Sequence, residues 1–227
     1  MTAPVRRIHF VSTLGLLLAV GLPGLASETL AQAEAALEAA PDDPPLLLRV
    51  AKLAHNEAAF GGREPRVLEG KAEKALRRVL ELQPTNAFAR ALLGSTRTLG
   101  ARHAFLPTTK IRLVKEGLKE MDLAVESAPE DPQVRFTRAA NNLFLPDLFG
   151  RKETVLGDLR WLSERVLREP DRHEEEFRQY ALLYAGMAER RYGELDKAVR
   201  LWQSGLSINP DSKVADRIRL ETTRKPS

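Results

Sequence analysis

Apolar and polar residues follow one another along this chain with helical spacing, and the sequence shows no strand-like alternation of apolar and polar positions. Alanine and leucine supply most apolar positions, whereas valine and isoleucine are sparse, a balance that favours helices over strands. The pattern predicts an all-α protein with paired helices over residues 28–40, 44–60, 65–83, 86–101, 110–128, 132–145, 152–168, 172–191, 194–208 and 212–222.

Five prolines recur at spacings of 43, 45, 41 and 40 residues, and each follows one of these predicted helices. A proline lacks the backbone N–H and clashes with the preceding turn, so each one is expected to end its helix. An Asp or Asn within the next two residues offers a hydrogen-bond acceptor to the start of the next helix. The repeated unit is therefore a helix ended by proline, at Pro41, Pro84, Pro129, Pro170 and Pro210.

Three of these helices share a finer pattern of a small residue, a large residue four positions later, a small one three further on, and proline after five more. The pattern resembles the second helix of the tetratricopeptide repeat family, in which small residues let two helices of a hairpin touch. The resemblance implies a right-handed superhelical solenoid of stacked helical hairpins. The matching residues are Ala72, Leu76, Val79 and Pro84; Gly117, Met121, Ala124 and Pro129; and Ala198, Trp202, Gly205 and Pro210.

The resemblance covers roughly residues 28–222, with departures from the family pattern. Asp158 and Arg165 occupy small positions of the fourth unit, and the repeat exceeds the family's ~34 residues because the turns within the hairpins are enlarged. We expect residues 27–227 to form a solenoid of about five helix pairs with a charged C-terminal helix as its cap.

Residues 1–26 have the features of a signal peptide. Arg6 and Arg7 precede an apolar run over residues 8–22, and small residues follow at the positions that a signal peptidase recognises, so we expect cleavage after Ala26. The run would form about 22 Å of helix, which is short for a ~30 Å hydrocarbon core. The expected location of the protein is therefore periplasmic or secreted.

Two alternatives for this segment stay open. An uncleaved N-terminus would give peripheral membrane association. Export by the twin-arginine route is disfavoured because His9 stands where that signal has an aromatic residue. No other segment of the sequence is long and apolar enough to cross a membrane.

Charge and composition narrow the possible partners. The formal net charge of +4 falls to about +2 if residues 1–26 are removed. Such a weakly basic protein is not expected to bind nucleic acid, which requires a concentrated stripe of basic residues. The chain has no cysteine, which excludes disulfides, thiolate metal sites and a lipidated N-terminal cysteine.

Motifs for catalysis are absent from the sequence. It contains no glycine-rich phosphate loop, no Gly-x-Ser-x-Gly elbow and no His-Glu-x-x-His helix. Its histidines are well spread, and the acidic run 174–176 is better explained as the start of a helix, where carboxylates meet the positive end of the helix dipole. We therefore expect a protein that is not an enzyme and has neither a cofactor nor a metal.

Candidate binding residues come from the first helix of each pair, which lines the concave face in the family. Two consecutive first helices carry arginine and asparagine side chains that could form a cationic, amide-bearing groove for a carboxylate or an acidic segment. The competing interpretation is structural, because these positions lie near those used for packing between helices, and Arg138 could pair with Asp158. The candidate residues are Arg90, Arg97, Arg135, Arg138, Asn141 and Asn142.

The enlarged turns place large apolar residues outside the regular repeat. The segments Phe105–Pro107 and Phe144–Phe149 could form a patch that docks a partner, or could fold back and seal the solenoid, which is the favoured interpretation. Trp161 and Trp202 are expected in the core.

The leading hypothesis for function is an exported scaffold or adaptor that binds a protein or peptide partner in the cell envelope. The alternative is a small-ligand-binding periplasmic component of a transport system. An enclosed cavity through the solenoid would favour the alternative, and an open surface with exposed apolar turns would favour the protein partner.

Overall fold

A computed structural model describes residues 29–59 and 61–224, so the predicted signal peptide lies outside the described residues. The described residues form ten α-helices and no strand, in agreement with the predicted all-α class. Their bounds are α1 Leu30–Ala39, α2 Pro44–Ala59, α3 Pro65–Leu82, α4 Ala87–Gly100, α5 Pro107–Ser127, α6 Pro132–Leu143, α7 Lys152–Arg168, α8 Glu175–Arg191, α9 Leu195–Ile208 and α10 Lys213–Thr223.

The helices pack in consecutive pairs and form an α-solenoid. The hairpins are α2 with α3, α4 with α5, α6 with α7, and α8 with α9, while α1 packs on α2 and α10 packs on α8 and α9. We call α2, α4, α6 and α8 the first helices, and α1, α3, α5, α7 and α9 the second helices. Each second helix ends just before one of the five repeated prolines.

Small residues allow the hairpins to close, as the family pattern implies. A methyl group added at Gly94 of α4 would lie 2.5 Å from the carbonyl oxygen of Gly117 in α5, so both positions require glycine for this approach. In the last hairpin, Gly186 leaves room for the indole of Trp202, whose Nε1 donates to the carbonyl oxygen of Leu183 at 3.1 Å. Trp202 is buried, as predicted.

Side chains after the repeated prolines cap the next helix. The Asn86 side chain accepts a hydrogen bond from the backbone N–H of Ala89 at 2.9 Å, and the Asp131 carboxylate accepts from Gln133 and Val134. These bonds satisfy N–H groups that have no partner within the helix. The predicted role of the Asp and Asn residues is confirmed at these two positions.

Two predicted boundaries are wrong by several residues. Helix α5 begins at Pro107 rather than at 110, because proline is already set for the first turn of a helix and its missing N–H costs nothing there. Helix α8 begins at Glu175 rather than at 172, because Pro170–Arg172 forms a short 3₁₀ turn. None of the described helices is long and apolar enough to span a bilayer.

Candidate functional site

The arginines of α4 lie between helices rather than on an open face. Arg90 contacts Glu120 of α5 at 3.2 Å. Arg97 contacts Glu120 at 3.1 Å and Glu73 of α3 at 3.4 Å, so its guanidinium fills the space between two consecutive second helices. Both partners are carboxylates of the protein itself.

The arginines of α6 repeat this arrangement one unit further along. Arg138 donates to both carboxylate oxygens of Asp158 in α7, at 2.8 and 2.9 Å, and to Asp122 of α5 at 3.1 Å. Arg135 donates to the same Asp158 at 2.8 Å. Burial disfavours the charge of Arg138, but hydrogen bonds and charges of the two aspartates outweigh burial and raise its pKa. The pairing of Arg138 with Asp158, offered as the structural alternative, is therefore present.

The two asparagines also have partners within the protein. Buried Asn141 donates to Ser95 of α4 at 3.2 Å and to Thr98. Asn142, with its amide oxygen turned toward Arg151, accepts two hydrogen bonds of 3.0 Å from that guanidinium. The structure thus brings the six candidate residues into interhelical contacts, and their role in partner binding stays a prediction.

One predicted core residue has a different environment. Trp161 is only half-buried: it packs against the core, and the guanidinium groups of Arg135 and Arg165 also contact its ring, with their central carbons 4.6 and 4.8 Å from its centroid. The indole therefore forms cation–π contacts beside the core, because two long cationic side chains cover it.

The first helix α2 lacks the arginine that α4 and α6 share. Arg90 and Arg135 each donate to the carbonyl oxygen of the proline six residues earlier, Pro84 and Pro129. The residue six positions after Pro41 is Leu47, which has no donor and a shorter side chain. The carboxylate that would pair with such an arginine is missing too. Glu120 of α5 corresponds in α3 to Ala75, since each lies nine residues before the proline that ends its unit.

A groove of about 1120 Å³ lies between α1 and α3. It occupies the place that a counterpart of the Arg90–Glu120 ion pair would fill. Its apolar floor consists of Leu37, Leu47, Val50 and Ala75. We call it the α1–α3 groove. Between later second helices, the corresponding spaces are filled by Arg97 and Arg138. In α2 the position of Arg97 is occupied by Ala54, and the position of Arg138 by Val50.

Charged residues line the rims of the α1–α3 groove. Glu34, Glu38 and Asp42 lie on the α1 side, and the α3 side carries Lys71 and Lys74 among its residues. Two ion pairs join the rims, Lys71 with Glu34 at 2.6 Å and Arg78 with Asp42 at 2.7 Å. The hydrogen bond from Arg78 also lowers the pKa of Asp42.

The apolar residues of the enlarged turns are of two kinds, some packed against the core and some exposed. Phe144, Leu145 and Phe149 pack against the core, as the favoured interpretation predicted. Phe105 and Leu148 do not, with 94% and 71% of their surface exposed. The part of the chain that the structure describes contains no group of three His, Asp or Glu residues placed to hold a metal ion.

Comparison with known proteins identifies the architecture. No protein-family model matches this chain, and no curated protein matches it. The structure superposes on the crystal structure of a thermophilic tetratricopeptide repeat (TPR) protein from Thermus thermophilus with a TM-score of 0.64, over 86% of this chain and 89% of that one, at 17% sequence identity. The chain has a TPR fold. At this identity the likeness extends to the fold alone, and the TPR fold predicted from the sequence is confirmed.

Sequence reasoning missed the α1–α3 groove. The candidate residues predicted from the sequence are polar or charged, whereas the groove exists because an apolar residue, Leu47, stands where the next two units have arginine. The signal was available in the alignment of the repeats on their prolines, where Leu47, Arg90 and Arg135 occupy one position.

Proposed function

We propose that this chain is an exported, non-catalytic scaffold whose α1–α3 groove binds an amphipathic helical segment of a protein in the cell envelope. The observation that carries the proposal is the groove itself: an apolar floor between two helices, whose charged rims are joined by two exposed ion pairs that a bound helix would displace. A helix with one apolar face recognises this kind of surface.

The dimensions of the groove suit a short helix. Residues 70–81 of α3 line it, which corresponds to about 16 Å along the helix axis, or roughly three turns. Ion pairs across the groove already use Glu34 and Asp42, and the α3 side carries Glu73 and Glu81 as well as basic residues. The preference for a basic flank toward α1 and an acidic flank toward α3 therefore rests on Glu38 and Lys74. The rims would thus fix the direction of the partner, while the floor supplies affinity.

The experiment that tests this proposal transplants an ion pair. Leu47→Arg combined with Ala75→Glu copies Arg90 and Glu120 into the first hairpin, so the groove is filled by a pair that the TPR repeat already accommodates. Partners captured from an envelope extract of the native host by the wild-type chain should be lost with the double variant. Retention of the same partner at the same yield would contradict the proposal.

A rim variant guards against a simple folding defect. Lys74→Glu changes only an exposed charge, and Lys119→Glu is its matched control, because Lys119 occupies the same position of the next repeat. We expect Lys74→Glu to weaken partner binding by about 1 kcal/mol, roughly fivefold, and Lys119→Glu to leave it unchanged. Equal effects of the two substitutions would argue against the groove.

Export and cleavage form a separable part of the proposal. The arginine pair, the apolar run and the small residues before Ser27 support it. Amino-terminal sequencing of the protein from its native host should begin at Ser27, and fractionation should recover it outside the cytoplasm. A protein that retains Met1 and sediments with membranes would instead support the uncleaved segment.

The alternative function is a small-ligand-binding component of a transport system, and it can be tested by adding fractions of the same extract and measuring the melting temperature. A dialysable fraction would then raise the melting temperature of the wild-type protein, and a protein fraction would not. The open groove between two helices favours the protein partner.

A further inference from the structure

The turns within the hairpins lie along one edge of the solenoid. Arg66, at the start of α3, donates to the carbonyl oxygen of His103 in the next hairpin's turn at 2.7 Å. Leu145, in the turn after α6, packs against a cluster that includes Ala101. Arg191, at the end of α8, donates to the carbonyl oxygen of Leu145 at 3.0 Å. These contacts join successive turns into a continuous surface, which we call the hairpin-turn edge.

Exposed apolar residues concentrate on this edge. Eleven large apolar side chains of the described residues are exposed, and seven of them lie in these turns or in the first five residues of the helix that follows. Phe105 at 94% and Leu148 at 71% are the most exposed of all. The seven are Val67, Phe105, Leu106, Ile111, Leu148, Leu195 and Val199.

Charge distinguishes the region around Phe105, on the hairpin-turn edge, from the opposite edge of the solenoid. The other turns of the hairpin-turn edge carry both signs of charge, with Asp147 and Glu194 among their acidic residues. Residues 100–115, which include Phe105, contain four basic residues, one histidine and no acidic residue, and one of the four, Arg112, pairs with Glu116 at 2.9 Å. At the opposite edge, the turns that follow the repeated prolines contain eight acidic residues and one arginine over 40–43, 83–86, 128–131, 169–174 and 209–212. An anionic surface would therefore attract the first region and repel the second edge.

The chain enters the solenoid at the hairpin-turn edge. The ion pairs of α1 with α3 join Glu34 to Lys71 and Asp42 to Arg78, so the two helices run parallel and Thr29 lies at the same end as the start of α3. In the sequence, the apolar run over residues 8–22 ends only seven residues before Thr29. In a protein that retained residues 1–26, this apolar run would be linked to the edge that carries the exposed apolar residues; after cleavage the edge has to bind through its own residues.

We infer that the hairpin-turn edge docks on a membrane surface that contains anionic lipid. Phe105, Leu106 and Leu148 insert among the lipid chains, and the basic residues of 100–115 contact the headgroups. Apolar insertion together with basic charge is the combination by which peripheral proteins bind such surfaces. The acidic edge faces away from the membrane. This inference is independent of the partner proposed for the α1–α3 groove.

The absence of cysteine allows a direct test with a single fluorescent label on the full chain. The environment-sensitive dye NBD is attached in separate proteins to Phe105→Cys, Leu148→Cys and, on the acidic edge, Asp171→Cys. With vesicles of phosphatidylcholine and phosphatidylglycerol, we expect the dye at 105 and 148 to shift to the blue and to be quenched by brominated lipid. The dye at 171 should not change, and pure phosphatidylcholine vesicles should change none of the three.

The unlabelled variants separate docking by the edge from binding by the N-terminal segment. Arg112→Gln with Lys115→Gln should weaken affinity for the mixed vesicles by on the order of tenfold, with further weakening as salt is raised. Leu123→Ser, an exposed apolar residue further along α5, serves as the control and should have no effect. Unchanged dye at 105 and 148, equal changes at all three labels, or full affinity in the double variant would each overturn the inference.

Discussion

Asp158 offers the sharpest test of how this solenoid is held together. Its carboxylate is 1% exposed and accepts three hydrogen bonds of 2.8–2.9 Å from Arg135 and Arg138, whose side chains are themselves 18% and 14% exposed. Asp158→Ala removes the shared acceptor and leaves two guanidinium groups close together. Arg138 keeps only the more exposed Asp122 as a partner.

The expected loss of stability is large for a single substitution. Removing one member of a buried ion pair costs about 3–5 kcal/mol, because the remaining charge stays buried without compensation. In a chain of this size each 1 kcal/mol lowers the melting temperature by about 2–4 °C, so Asp158→Ala should melt roughly 10 °C below the wild type.

A second substitution should recover most of that loss. Leu93 and Gly117 hold the positions of Arg138 and Asp158 in the preceding hairpin, so Asp158→Ala with Arg138→Leu restores a small residue beside a large apolar one. Well-packed apolar residues often replace a buried ion pair without loss of stability. Arg135 retains its bond to the carbonyl oxygen of Pro129 and its contact with Trp161.

Urea unfolding followed by circular dichroism measures all three proteins. We expect the free energy of unfolding of the double variant to exceed that of Asp158→Ala by about 2 kcal/mol or more. A single variant within about 1 kcal/mol of the wild type, or a double variant no more stable than the single one, would refute the structural role of this pair.

Two further predictions concern pH and close packing. Burial lowers the pKa of His55 to about 4, so between pH 6.5 and 4 the unfolded chain takes up a proton that the folded chain does not, and folding is weakened as the pH falls. Glu69 acts in the opposite direction over an overlapping range, because burial raises its pKa to about 7 and the folded chain takes up that proton first. Urea titrations should therefore show the His55 contribution, about 3 kcal/mol, as the difference in pH dependence between the wild type and His55→Gln. Gly94→Ala should lower the free energy of unfolding by about 1–3 kcal/mol, because the added methyl group clashes with Gly117. Gly70→Ala should raise it by about 0.5–1 kcal/mol, because no atom lies within 4 Å of the added methyl group. Equal effects of the two substitutions in calorimetry would contradict this packing.

The helical repeat could be predicted from the sequence because its determinants are local. A proline at the end of a helix acts through its own backbone, and the caps supplied by Asn86 and Asp131 act within three residues. The predicted start of α5 is three residues late because the sequence analysis placed Pro107 in an enlarged turn, although proline also suits the first turn of a helix.

The candidate site was harder to predict because it depends on what fills a space between helices distant in sequence. The pairing of Arg138 with Asp158 could be proposed because a carboxylate stood where a small residue was expected. Nothing in the local sequence around Leu47 marks a groove. The groove can be inferred only by comparing Leu47 with Arg90 and Arg135, which occupy the same position of the repeat and donate to the carbonyl oxygen of the preceding proline.

Photocrosslinking tests the proposed binding site most directly. A benzophenone side chain placed at Lys74, on the rim of the α1–α3 groove, is compared with one at Lys119, the same position of the next repeat. In envelope extracts of the native host, we predict a discrete crosslinked protein at Lys74 that disappears in the Leu47→Arg, Ala75→Glu background, with none at Lys119. Crosslinks of equal yield at both positions, or a Lys74 crosslink that survives the filled groove, would contradict the account.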